Sequence, residues 1–108
     1  MKRYIDIAAF IFAAVFLSNA NAQDYPNKPI KVLVGYAPGG AVDLVARTLG
    51  QSLSSSLGQP FVVENKPGAG TNIAVKQLID SPPDGYTLMV AANALAANMS
   101  LYKPQPFD

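Results

Sequence analysis

Twice in this sequence a short apolar segment runs through a glycine-rich loop into a segment of helical period, and that repeat limits the fold more than any other feature. Ile30-Lys31-Val32-Leu33-Val34 leads into the loop Gly35–Gly40, GYAPGG, and then into Val42–Leu57. Phe61-Val62-Val63-Glu64 leads into Asn65–Gly70, NKPGAG, and then into a helical stretch from about Thr71 to Ile79. The first apolar segment is branched and nearly free of polar residues, as expected of a parallel strand covered on both faces. In Val42–Leu57, residues Val42, Val45, Ala46, Leu49, Leu53 and Leu57 recur at steps of three and four, which predicts one apolar helix face. Val45, Leu49, Leu53 and Leu57 are expected to be core, Ser52, Ser54, Ser55 and Ser56 to lie mostly on the wet side, and Gly58 to stop the helix. In the second helix Ile73, Ala74 and Leu78 are expected to point inward. After the turn Ser81–Gly85, a third strand is predicted over Tyr86–Ala91 and a short helix over Asn93–Asn98. The repeat gives an α/β layer with a mainly parallel sheet and flanking helices.

Residues 1–22 have the layout of a secretory signal peptide. Lys2 and Arg3 precede the apolar run Ile7–Leu17, and Ala20-Asn21-Ala22 places small residues before a cut between Ala22 and Gln23. The run is far shorter than the ~20 residues that span a bilayer. The mature chain, 23–108, is therefore expected in an extracytoplasmic compartment and not to span a membrane. The leader carries Lys2, Arg3 and Asp6, and so accounts for the formal charge of +1; the remainder is neutral. A neutral chain without a basic run argues against a nucleic-acid partner, whose binding rests largely on phosphate neutralisation. Histidine and cysteine are both absent. That removes the usual zinc ligands, cysteine nucleophiles and histidine-based triads. No cofactor or metal is expected, and no enzyme activity.

Both loops leave a strand and enter a helix, which places them together at the carboxyl ends of parallel strands, where ligands collect. Helix N-termini suit anions, and Gly39, Gly40, Gly68 and Gly70 let the backbone approach one closely. A phosphate loop fails, because Ala41-Val42 stand where lysine and a hydroxyl residue are needed. A dinucleotide fingerprint is weak, because Ile73 stands in place of its third glycine. A dinucleotide-binding enzyme domain is thus the weakest of the alternatives.

The runs YPNKPIKVLVGYAPGGAVDLVAR, VVENKPGAGTNIA and PPDGYTL, in this order, resemble the extracytoplasmic solute-binding receptors of tripartite tricarboxylate transporters, the TctC or Bug family. The resemblance implies a partial first lobe of a two-lobe, periplasmic-binding-protein-like fold of type II, with 23–108 as its incomplete N-terminal part. It further implies periplasmic capture of a small organic acid, such as a di- or tricarboxylate, and delivery to transporter membrane subunits. The complete receptor is expected to be monomeric. The alternative is a truncated receptor fragment without function. By position, the resemblance makes Tyr36, Pro38, Gly39, Gly40 and Asp43 the first ligand loop, and Gly68, Ala69, Gly70 and Thr71 the second. Gly35-Tyr36 stands where the family often has proline and phenylalanine, and Thr71 where it often has another glycine.

Bland readings stand beside the functional ones. Tyr36 either lines the cleft or packs beside the strand, and the glycines either meet ligand or simply turn the chain. Thr71 caps the second helix or turns its hydroxyl to the ligand. Asp43 pairs with Arg47 four residues on, or orients loop amides, waters or a ligand amine. Asn93 reaches the same edge of the sheet or makes a loop hydrogen bond.

Overall fold

The computed structural model describes residues 24–106. The expected signal peptide and its cleavage point lie outside the described residues. Three strands form one parallel sheet: β1 (Ile30–Val34), β2 (Phe61–Asn65) and β3 (Thr87–Val90), in the order β2-β1-β3. The helices are α1 (Ala41–Leu57), α2 (Asn72–Ile79) and α3 (Ala94–Leu101), with a 3₁₀ turn at Ala69–Thr71 before α2. α3 runs to Leu101, three residues further than the pattern predicted.

β1 is central because it is apolar on both faces. Ile30, Val32, Leu33 and Val34 are all buried, and burying such a side chain contributes ~1.5–3 kcal/mol. Val32 and Val34 pack with Ala46 of α1, flanked by Val42, Phe61, Val63 and Val90. α1 covers β1 and β2, while α2 packs on β1 and β3. The connections β1 to β2 and β2 to β3 run in opposite directions across the sheet, so with the right-handed crossovers that parallel strands take, α1 and α2 fall on opposite faces.

The long helix corrects the sequence reading. Its buried residues are Asp43, Ala46 and Gly50, with Ser54 half-buried in line with them. The expected core stripe is largely exposed: Val45 49%, Leu49 51%, Leu53 40% and Leu57 45%. Small residues face the sheet because α1 runs close to β2; a Cβ at Gly50 would already come within 3.3 Å of Phe61 Cβ. Ser54, read as a wet-side residue, instead donates its hydroxyl to the Gln59 carbonyl at 2.8 Å and accepts the Phe61 N–H at 3.0 Å. It thereby ties the end of α1 to the start of β2. Gly58, in the left-handed region at φ 72°, closes the helix as expected, with its N–H on the Ser54 carbonyl. In α2, Ala74 is buried and Leu78 half-buried, but Ile73 is 51% exposed, against expectation.

These exposures set stability expectations. Leu49→Gln or Leu53→Gln should change the unfolding free energy of this chain by less than ~0.5 kcal/mol, as at surface sites. Ala46→Leu, at a position 1% exposed, should cost ~1–3 kcal/mol by overpacking. Thermal melts of the three variants check this; a large loss in the leucine variants would restore the stripe to the core.

Candidate functional site

The two glycine loops leave the carboxyl ends of neighbouring strands and touch. Gly35, the residue after β1, lies so close to the second loop that an added Cβ would fall 2.6 Å from Thr71 Cβ. The Lys66 N–H reaches the Val34 carbonyl at 2.8 Å, extending the ladder one residue into the second loop.

Asp43 organises the first loop. It is buried in the first turn of α1, 3% exposed, and accepts the Gly39 N–H on Oδ2 at 2.8 Å. Arg47 Nε lies 3.1 and 3.0 Å from its two oxygens, and Asn65 Nδ2 donates to Oδ1 at 2.9 Å. The Arg47 hydrogen bond, then the Gly39 amide and the Asn65 amide, hold this carboxyl well below the usual carboxylate range, against the opposing effect of desolvation. Asp43 in turn raises Arg47. Asp43 thus pairs with Arg47 and accepts a loop amide at the same time. Nothing here equips it for catalysis, and among the described residues no histidine, cysteine, aspartate or glutamate group is placed to hold a metal.

With its N–H on Asp43, Gly39 serves the loop turn, at φ 85°. The donors facing outward belong to the start of α1, which has no side-chain cap at Gly40. Pro38, Gly39 and Gly40 are exposed. Tyr36 is half-buried against the Val32–Val34–Ala46 cluster, the packing alternative of its two readings. Beside the start of α1, a shallow depression of about 200 Å³ is lined by Ala41, Val42, Val45, Val90 and Ala91. A hollow of about 540 Å³ runs along the outside of α2 from Ala69 of the second loop, and one of about 550 Å³ lies at the opposite end of the sheet around Tyr25 and Tyr86.

The second loop is wound left-handed. Gly68 has φ 132°, and Ala69, Gly70 and Thr71 follow at 46°, 59° and 78°. For residues other than glycine this region costs ~1–2 kcal/mol each, so the surrounding contacts must hold it. The Thr71 N–H donates to the Gly68 carbonyl at 3.0 Å. Asn98 of α3, 3% exposed, donates to the Gly70 carbonyl and to Asn72 Oδ1. Thr71 precedes α2 but makes no cap hydrogen bond, contrary to the capping reading. Its side chain is 3% exposed, and its hydroxyl has no partner. Asn93 is exposed at the start of α3, where its carbonyl accepts the Ala96 and Ala97 N–H groups.

Asn65 and Asn98, which tie the loops to their surroundings, were not singled out from the sequence. Asn65 had one available signal, its place between a strand and a glycine loop; Asn98 sits in an otherwise apolar helix and had none.

A model of the tripartite tricarboxylate transporter family receptor, TctC, matches residues 45–108. The chain is 40% identical to Protein BugT of Bordetella pertussis over 103 residues, 94% of this chain and 32% of that protein. It is similar in structure to the periplasmic binding protein BugD, with 39% identity and a TM-score of 0.74 over 78% of this chain and 28% of BugD. The R. palustris protein Rpa4515, solved with adipate, gives 32% identity and a TM-score of 0.73, again over 78% and 28%. The chain thus spans about a third of the length of the curated relatives it matches. The fold of the described residues is part of a periplasmic binding protein fold. With the family model covering more than half of its length, the chain belongs to the tripartite tricarboxylate transporter receptor family.

Proposed function

We propose that the two loops take one carboxylate group of a small organic acid, held by the uncapped start of α1 on one side and by Thr71 and the backbone around it on the other. The family is one of solute-binding receptors and is not enzymatic. The observation that carries the reading is Thr71: a buried hydroxyl without a partner, on a left-handed backbone, in contact with the first loop. Burying an unpaired hydroxyl costs ~1–3 kcal/mol, and such a cost together with backbone strain marks functional sites. The apolar depression beside Val42 and Val90 suits the carbon chain of the acid. Relatives are periplasmic binding proteins, and one binds adipate. The reading extends to cleavage between Ala22 and Gln23, periplasmic residence, a monomeric receptor and delivery to transporter membrane subunits.

Thr71 is buried, but Gly39, Gly40, Gly68 and Gly70 are exposed, so hydrogen bonds made by their backbone compete with solvent and each contributes little net. Dissociation constants near ~1 mM are expected, a free energy of about −4 kcal/mol. At ten times that concentration a ligand stabilises by ~1.4 kcal/mol, raising the melting midpoint by roughly 5–10 °C for a domain of this size. Succinate or adipate should do so at matched ionic strength, while neutral succinamide should not. Equal shifts from acid and diamide, or none from either acid, would remove the carboxylate reading.

A further inference from the structure

Asn65 holds the two loops together through three hydrogen bonds. Its Nδ2 donates to the Tyr36 carbonyl at 3.1 Å and to Asp43 Oδ1 at 2.9 Å, and its Oδ1 accepts from an Arg47 terminal nitrogen at 3.0 Å. Both amide protons and the amide oxygen are thus engaged with the first loop and the first turns of α1. The backbone of the same residue ends β2 and opens the second loop. Aspartate there would set a second carboxylate against Asp43, and serine would be too short to reach both acceptors. Glu64 and Lys66, the neighbouring charged residues, pair with each other at 3.7 Å, and Glu64 also pairs with Lys31. They take no part in the Asp43 contacts.

We propose that Asn65 is a positioning residue for carboxylate binding, locking the first loop to the base of the second before any ligand arrives. The inference rests on the two-loop reading above and adds the group that sets the loops' spacing. Preorganisation of this kind improves affinity by removing the ordering cost from the binding step. Asn65 need not touch the ligand: its amide is already engaged, and it acts through Gly39, which Asp43 holds, and through Tyr36.

The test compares the full chain with Asn65→Ala and Asn65→Leu, the second of which keeps the volume and loses the hydrogen bonds. Backbone amide spectra without ligand are the first readout. In both variants the Gly39 amide and the Arg47 Nε–H should shift, while β1 amides stay in place and unfolding stays cooperative with a midpoint lowered by roughly 5–15 °C. The second readout is succinate titration, in which both variants should need about tenfold more ligand, the equivalent of one hydrogen bond. Unmoved Gly39 and Arg47 signals would overturn the proposal. So would loss of the whole fold in both variants, which would make Asn65 a structural residue, or unchanged succinate affinity despite the shifts. If wild type itself ignores succinate, the carboxylate reading fails, while the unliganded spectra still report whether Asn65 locks the loops.

Discussion

Gly35→Ala is expected to lower the melting midpoint by roughly 5–25 °C. The new Cβ would sit 2.6 Å from Thr71 Cβ, 2.9 Å from its Cγ2 and 3.1 Å from its Cα. None of these atoms is the free end of a flexible side chain, and the Cα belongs to a backbone already held at φ 78°. One strand end or the other loop must therefore move. Overpacking of this kind costs ~1–3 kcal/mol, and each kcal/mol moves the midpoint of a domain this size by ~4–8 °C. Because the collision is with Thr71, adding Thr71→Gly should restore most of the loss. A coupling energy of at least ~1 kcal/mol is expected between residues in contact. A Gly35→Ala melt that overlays wild type would show that the loops do not meet.

Thr71→Gly alone should leave stability level or slightly higher while weakening carboxylate binding about tenfold. Glycine removes the left-handed penalty of ~1–2 kcal/mol and the unpaired buried hydroxyl, ~1–3 kcal/mol. Against this stand ~0.5–1 kcal/mol of added unfolded-chain entropy and the lost packing of a methyl group on Gly35. The ligand, in turn, loses a hydroxyl donor that exists in no other part of the loop. Stability and binding thus move in opposite directions, as expected where strain is kept for function. Melting curves with and without succinate measure both; a destabilised variant that binds normally would assign Thr71 to packing.

The parallel sheet was legible because Val32–Val34 is apolar at consecutive positions, a pattern that only a strand covered on both faces uses well. The position of the loops followed from the strand-loop-helix order alone. The side of α1 that meets the sheet was not legible. Periodicity ranks helix faces by apolarity, whereas here close approach selects Ala46, Gly50 and Ser54 and leaves Leu49 and Leu53 on the flank. The roles inside the site were only half readable. The Asp43–Arg47 pair follows from spacing on a helix, but Asn65 and Asn98 act across 18 to 29 residues of sequence. Contacts of that reach exist only once the strands are paired and α3 is docked. Thr71 was read as cap or ligand contact, and its backbone removes the first, because a residue at φ 78° leaves its side chain without the geometry to cap α2.

The most direct measurement of the central claim is an amide-resolved magnetic resonance titration of the chain with succinate, with sodium chloride as the ionic control. The account predicts saturating shifts at Gly40, Ala41, Val42, Gly70 and Thr71 together, described by one dissociation constant near ~1 mM. Smaller displacements should appear at Gly39, whose N–H stays on Asp43. The Tyr25–Tyr86 end of the sheet should remain still. Shifts confined to one loop, shifts reproduced by chloride, or a response centred on Tyr25 and Tyr86 would contradict a carboxylate site built from both loops.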